Sequence, residues 1–315
     1  MSPFSFNPDR DIPSLNGKVI FITGGTAGLG LGSIVTLAKH NPAHIVFSGR
    51  NQKSADGLIE RVKKSSPNVP LTFVKCDISS FASVQEAAKS LTSQCDRLDI
   101  VMLNAGIMAV DPATSTDGYE IQFATNHLGH ALLVKLLLPL LQKTAQTPDG
   151  DVRIINMTSI AYKQAPKMGI DFATLKSPQA SLGGLIPGGK WSRYGQSKLA
   201  QLLYSQELAK HYPEITSVSV HPGIILTGLF ENVDMVTKLP VLLMSIGGRT
   251  PVDEGHWNQC WAATVEKSKL KNGEYYEPIG KIGSRKTTQA RDETLADELW
   301  NWTQRQLEAF CAEKV

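Results

Sequence analysis

The chain has 315 residues, of which 42% are hydrophobic and 19% charged, with a formal net charge of +3 at pH 7. These are ordinary values for a globular protein with material for a large core, and a balance this small, without a basic cluster, argues against nucleic acid as a partner. Four scattered cysteines (Cys76, Cys95, Cys260, Cys311) form no CxxC and have no His at ligand spacing, so neither disulfides nor a metal site is expected and a reducing intracellular compartment fits.

Residues 1–15 carry Pro, Asp and Arg where a secretion signal needs an apolar run. They read as an N-terminal extension, and a cytoplasmic location is expected. The sequons at Asn156 and Asn301 then carry no weight.

Lys18-Val-Ile-Phe-Ile-Thr23 is a short apolar run ending in Gly24-Gly-Thr-Ala-Gly28-Leu-Gly30, and a helical pattern follows from Leu31 to about His40. Continuous hydrophobic residues predict a strand buried on both faces of a parallel sheet. Strand, glycine-rich turn and helix together form the geometry in which backbone N–H groups at a helix start meet phosphate. Glycine suits the turn because a side chain would hold a pyrophosphate off the backbone. A tight turn with no ligand is the competing reading, which this context disfavours.

A second strand, His44–Ser48, ends at Gly49-Arg50-Asn51, so that Arg50 stands 20 positions after Gly30. At about that distance dinucleotide folds carry either an acid for the ribose 2′-hydroxyl or an Arg for a 2′-phosphate. A guanidinium grips phosphate in bidentate fashion and no acid occupies 48–52, so NADP(H) is favoured over NAD(H). The alternative is a solvated loop Arg.

Further strands are predicted at Leu71–Lys75 before Cys76-Asp77-Ile78, at Leu98–Leu103 before Asn104-Ala105-Gly106, and at Val152–Met157 before Thr158-Ser159. Helices to about Ser65, at 80–94 and from roughly Thr116 to Lys143 alternate with them. This alternation indicates βαβ units and an α/β fold, with ligands beyond the carboxyl ends of the strands. The apolar stretch Ala131–Leu141 is too short to span a bilayer and is broken by Lys135 and Pro139, so it reads as a buried helix and no transmembrane segment is expected. His127 and His130 read as packing or surface groups, because a metal would need further ligands. Ser159 has no GxSxG elbow, which disfavours a hydrolase nucleophile and leaves a hydrogen-bonding hydroxyl at a strand end.

Residues 160–190 are irregular. Gly184-Leu-Ile-Pro-Gly-Gly189-Lys190 matches a phosphate-binding P-loop except that Trp191 replaces the final Ser or Thr, and it follows no strand, so it reads as surface insertion. Tyr194-Gly-Gln-Ser-Lys198 lies on a predicted helix to about Tyr212. Residues four apart share a face, and a cation beside a phenol favours the phenolate. The Tyr194 pKa is therefore expected below its usual value of about 10, suited to proton transfer at a carbonyl or alcohol. The pair alone is a weak motif. Strand Ile215–His221 ends in Pro222-Gly223, and the apolar stretch 224–250 is either a lid over an apolar pocket or a helix pair on the core. A helix near 251–267, a strand at Gly273–Tyr276 and a helix at 291–312 follow. With no repeat and no interdomain linker, residues 1–315 are expected to form one domain.

With these residues in view, the chain resembles the short-chain dehydrogenase/reductase family over about residues 16–310, most of all the branch of retinol dehydrogenases and fungal carbonyl reductases. Thr23–Gly30 matches the family's TGxxxGxG, Asn104-Ala105-Gly106 its NAG, and Pro222-Gly223 its PG. The resemblance implies a doubly wound Rossmann sheet in the order 3-2-1-4-5-6-7 with helices on both faces. It implies that Asn126, Ser159, Tyr194 and Lys198 match the catalytic tetrad, with Asn126 anchoring a water that relays protons through Lys198. Asp77 and Ile78 match the adenine-contacting pair, Arg50 the basic residue of NADP-preferring members, and Thr227 the nicotinamide-side Thr. Thr23, Gly24, Thr26, Gly28, Leu29, Gly30, Asn104, Ala105, Gly106, Pro222 and Gly223 would complete the NADP(H) site.

The activity implied is NADPH-dependent hydride exchange with a ketone, an aldehyde or a secondary alcohol, the small-molecule substrate being bulky and apolar and a homodimer being the oligomeric option. Two alternatives are a reductase of conjugated C=C bonds and a non-catalytic NADP-binding regulator; a sugar-nucleotide epimerase is disfavoured by the glycine spacing. The 35-residue gap from Ser159 to Tyr194 exceeds that of many members, so 163–190 is expected to be an insertion that reshapes the pocket rim or a dimerisation helix.

Overall fold

The computed structural model describes residues 6–183, 189–225 and 250–312. A single turn, α1 (Pro8–Asp11), precedes β1 (Val19–Ile22) and α2 (Gly28–Ala38). The unit repeats as β2 (His44–Gly49), α3 (Gln52–Ser65), β3 (Leu71–Lys75), α4 (Phe81–Gln94) and β4 (Ile100–Leu103). Next, α5 (Ile121–Phe123), a π-helical turn (Ala124–Leu128) and α6 (Gly129–Ala145) form one continuous helical run. Then come β5 (Arg153–Met157), α7 (Gly189–His211), β6 (Thr216–Val220) and α8 (Trp257–Thr264). The last elements are β7 (Tyr275–Glu277), β8 (Lys281–Ile282) and α9 (Glu293–Ala312).

The strands form one sheet in the order β3-β2-β1-β4-β5-β6-β7-β8. Neighbours from β3 to β7 pair in parallel, as expected, and β8 adds an antiparallel edge through Tyr276 opposite Ile282. Two residues are too few to leave a periodic signal, which is why β8 was not anticipated. Side chains alternate between faces: Val19 and Phe21 enter the core cluster under α4, α6, α7 and α9, whereas Ile20 and Ile22 enter the one under α2, α3 and α8. Each aliphatic side chain fully buried in this way contributes about 1.5–3 kcal/mol. The result is a doubly wound Rossmann-type sheet with the carboxyl ends of its central strands on one edge.

Two expectations need correcting. The long helix starts at Ile121 rather than near Thr116, because Thr114 bridges Glu120 and the intervening turn uses Gly118 at φ 81°. The Glu120 carboxylate then accepts the Phe123 N–H at 2.7 Å as a cap. The apolar stretch Ala131–Leu141 is also not short: it belongs to the continuous run Ile121–Ala145 of 25 residues, long and apolar enough to cross a membrane, yet 72% of the most apolar window is buried inside the fold, in keeping with the buried helix expected. Its Lys135 donates to Gln304 of α9 at 2.9 Å. Within 163–183, Ile170 and Leu175, 3% and 0% exposed, belong to the core under α7. Residues 184–188, which hold most of the P-loop-like stretch, lie outside the described residues, as do Thr227 and positions 226–249 of the apolar stretch.

The C-terminal helix closes one face. Its Trp300 stacks on His211 at 4.2 Å and on Tyr204 at 5.3 Å, its Trp302 meets Phe123 and Tyr119 edge-on, and its Phe310 meets Phe81 at 5.1 Å.

Candidate functional site

Beyond the carboxyl ends of the strands lies a cleft of about 740 Å³. Its floor begins where β1 turns into α2. Gly24 has φ 67°, and a Cβ there would lie 2.9 Å from the Ala105 Cα. A Cβ on Gly30 would overlap the Gly24 carbonyl oxygen and come within 2.6 Å of Asn104 Nδ2. Gly28 has open space around it but φ 53°, so there it is backbone conformation that calls for glycine. Ala27 at the N-cap makes no side-chain cap and the first turn of α2 holds no acid, so the opening N–H groups face the cleft uncapped. Such a cradle fits a pyrophosphate. Leu29, Thr26, Ala105 and Gly106 line the cleft with it.

Thr23 ties this turn to β4. Its hydroxyl accepts the N–H groups of Asn104 and Ala105, both at 2.9 Å, while Asn104 Nδ2 donates to the Thr23 carbonyl at 2.8 Å. The same hydroxyl meets His130 Nε2 at 2.9 Å, and His130 Nδ1 meets the Asn126 carbonyl at 2.9 Å. A carbonyl can only accept, so Nδ1 carries the proton and Nε2 accepts from Thr23. Burial brings the His130 pKa down to about 4, which keeps the ring neutral. His127, bonded to Thr303 at 2.9 Å, is likewise a packing group, as the sequence suggested.

At the β2 end, Arg50 is exposed and borders the cleft beside Gly49 and Thr26. Across the β3 end, the Asp77 carboxylate accepts the Ser79 hydroxyl at 2.7 Å, and the Ile78 carbonyl abuts Gly129 at the start of α6. Asp77 and Ile78 both line the cleft.

The opposite end is built by β5, β6 and α7. The Thr158 hydroxyl donates to the Lys198 carbonyl at 2.7 Å, fastening α7 to the β5 end. A Cβ on Gly195 would come within 2.6 Å of Ala165 N and 2.7 Å of the Ala161 carbonyl. Its absence lets α7 lie directly on the 3-10 turn Ile160–Gln164 that follows Ser159. The Ser159 hydroxyl is consequently near enough to the Tyr194 phenol to pull its pKa down, although 35 residues separate them in sequence. Lys198 Nζ lies 5.5 Å from the Tyr194 ring centre and donates to the Met157 carbonyl at 2.9 Å and to Gln201 Oε1 at 2.8 Å. Ser159, Tyr194, Lys198, Pro222 and Gly223 all border the cleft.

The expected depression of the Tyr194 pKa is not found. Burial pushes the phenol up to about 12, outweighing the Ser159 hydroxyl that pulls it down. Burial also brings Lys198 down to about 7, so near neutral pH its charge is only partly present to stabilise a phenolate. Asn126 is 0% exposed and, like Thr23 and Gly30, sits behind the cleft wall. Its side chain accepts the Ile107 N–H at 2.9 Å and donates to the Ile107 carbonyl and to Ser197 Oγ. A Cβ on Gly106 would lie 3.0 Å from Asn126 Oδ1 and 3.8 Å from Lys198 Nζ, which makes Gly106 the link between the two.

Several lining residues were missed from the sequence. Ile107, Met108, Ile121 and Trp191 supply an apolar end, and Lys163 and His221 border it as well. Burial lowers the His221 pKa to about 4, and among the described residues its Nδ1 has no partner. Trp191 carried no signal beyond its nearness to Tyr194; His221 was readable as the residue before Pro222-Gly223.

Comparison with known proteins matches residues 18–177 to a family model described as short chain dehydrogenase. The short-chain dehydrogenase/reductase drtF of Aspergillus calidoustus is 34% identical over 309 residues, covering 94% of this chain and 95% of that protein. Among solved structures, an NADPH-bound carbonyl reductase from chicken fatty liver superposes with a TM-score of 0.61 at 21% identity, over 86% of this chain and 96% of that one. The carbonyl reductase Sniffer of D. melanogaster superposes with a TM-score of 0.59 at 24% identity, over 85% and 99%. At these identities the structural matches speak for the fold.

Proposed function

Since the chain belongs to the short-chain dehydrogenase/reductase family of oxidoreductases, which use nicotinamide cofactors, we propose that it is an NADPH-dependent reductase of bulky, apolar ketones or aldehydes. The observation that carries this reading is the shared cleft: the glycine cradle and Arg50 border one end, and Ser159, Tyr194 and Lys198 the other.

The cradle residues Gly24, Gly28 and Gly30 would hold the pyrophosphate, Asp77 and Ile78 the adenine side, and Arg50 a 2′-phosphate. A bound dinucleotide would supply the hydride. Tyr194, kept protonated by its raised pKa, would give its proton to the developing alkoxide, and Ser159 would donate a hydrogen bond to the same oxygen. Lys198, balanced near neutrality, would replace the Tyr194 proton, with Asn126 holding the backbone of Ile107 behind it. Ile107, Met108, Ile121 and Trp191 would take the apolar body of the substrate. The chicken carbonyl reductase was solved with NADPH, which agrees with the choice of dinucleotide.

The test is NADPH oxidation across a panel of carbonyls, with product analysis on one enone. Turnover to the allylic alcohol, abolished in Tyr194→Phe with NADPH affinity nearly intact, is expected. Retained turnover in that variant would remove Tyr194 from its role, and binding without turnover by the unaltered protein would favour a cofactor-binding regulator.

A further inference from the structure

Arg193 directly precedes Tyr194 on α7 and is 1% exposed, yet it faces away from the cluster of proton-handling groups. Its Nη1 donates to the Gln179 carbonyl and its Nη2 to the Val110 carbonyl, both at 3.2 Å. Its Nε lies 3.5 Å from Glu120 Oε1, an ion pair between side chains 1% and 0% exposed. A buried pair of this kind is weak evidence for stability, because desolvation offsets the attraction. Something other than stability accounts better for an arginine here.

The two carbonyls that it holds belong to strained loops. Among the described residues four non-glycine positions have φ in the left-handed region. Two of them are Gln179, at 47°, and Ala109, one residue before Val110, at 51°. Such conformations persist only where the surroundings over-determine them. Gln179 is gripped a second time: its Nε2 donates to the Thr174 hydroxyl at 2.8 Å, and its Oε1 accepts from Gln196 Nε2 at 2.8 Å. Gln196 Oε1 in turn accepts the Asp171 N–H at 2.8 Å. Loop 170–182 therefore hangs from Arg193 and Gln196, and loop 107–111 from Arg193, on one turn of the helix that carries Tyr194.

One of these loops reaches the cleft. Met108 and Ala109 pack with Ala161, Trp191 and Tyr194 in a small apolar cluster separate from the main cores, and Met108 and Trp191 line the cavity. We infer that Arg193 is a positioning residue: its guanidinium pins loops 107–111 and 170–182 against α7 and thereby sets the apolar wall that selects the substrate. A lysine could not replace it, since a single ammonium lacks the planar fork that reaches two carbonyls and a carboxylate at once. The kinetic half of this inference rests on the proposed reductase activity; the structural half does not.

The experiment compares Arg193→Lys, Ala109→Gly and the double variant with the unaltered protein. In Arg193→Lys, amide hydrogen exchange should quicken at least tenfold in 107–111 and 170–182 together, with β1 unchanged. The KM for a bulky aryl ketone should rise about tenfold, that for a small aldehyde less than threefold, and kcat should fall less than threefold. Glycine relieves the strain at position 109, so the double variant should recover part of the KM. Faster exchange in only one loop, or a kcat loss equal for all substrates at unchanged KM, would overturn the inference. If Arg193→Lys does not fold, Arg193→Gln, which likewise cannot reach both carbonyls, is read by the same exchange criterion. Should the unaltered protein reduce no carbonyl, the reductase reading fails while the exchange data still decide the matter.

Discussion

Lys198 and Tyr194 sit with the ammonium 5.5 Å from the ring centre, and both side chains are buried. Nearness would favour a charged pair, whereas burial drives both toward neutral forms, and burial wins. The lysine pKa falls from 10.5 to about 7. Below pH 7 both folded and unfolded chains hold that proton; between 7 and 10.5 the unfolded chain holds more. Folding stability should therefore gain from this group as pH rises from 7 to 9, by at most about 1.4 kcal/mol per pH unit. Urea midpoints at pH 7, 8 and 9 should climb less steeply in Lys198→Met than in the unaltered protein; parallel curves would refute the assignment.

Acid should act through other groups. His127 is lowered to about 3, and His130, His221 and His256 to about 4, all by burial. Unfolding lets each take a proton from pH 6.5 downward while the fold resists, so stability drains as pH falls from 6.5 to 4. Melting temperatures should drop across that window, and His127→Gln should flatten the slope by about one proton.

Arg50 is exposed, and among the described residues no hydrogen bond or ion pair engages its guanidinium. Arg50→Ala should raise the NADPH dissociation constant about 10- to 100-fold and that of NADH less than threefold, because only NADPH carries the phosphate that a charge-assisted hydrogen bond would grip. Equal losses would show that Arg50 reads no phosphate.

The glycines separate space from conformation. Gly30→Ala would drive a methyl into the Gly24 carbonyl and Asn104, so dinucleotide binding should fall more than tenfold and stability by about 1–3 kcal/mol. Gly28→Ala meets no neighbour and should show only the strain of its φ, about 1–2 kcal/mol, with weaker loss of binding. Titration calorimetry and denaturation of the two variants would separate these effects, and identical behaviour would contradict the geometry.

Continuous apolar runs before Thr23-Gly24 and Asn104 made the central strands β1 and β4 readable, because both faces are buried. Strands β3, β5 and β6 instead carry polar residues such as Lys75, Asn156 and Ser219, and were read from their alternation with helices and the motifs at their ends. The nearness of Tyr194 and Ser159 was readable only through family likeness; nothing in a 35-residue gap says that its ends meet. What Gly195 does became clear only when Ala161 and Ala165 were seen against it. The phenol's raised pKa could not be read either, since spacing on a helix conveys proximity and says nothing of solvent. Ile170 and Leu175 gave no periodic signal in an irregular stretch, so their place in the core went unseen. Thr227 and most of the apolar stretch after Gly223 lie outside the described residues.

The packing of α9 has a bearing on how the polypeptide is made. Phe81 awaits Phe310, and Tyr119 awaits Trp302, so a seam between the first half and α9 closes only after α9 has been synthesised. Until then the aromatic face of α7 at Tyr204 and His211 and the Phe81 end of α4 stand open, and a nascent chain cut short before Trp300 has no means of sealing them.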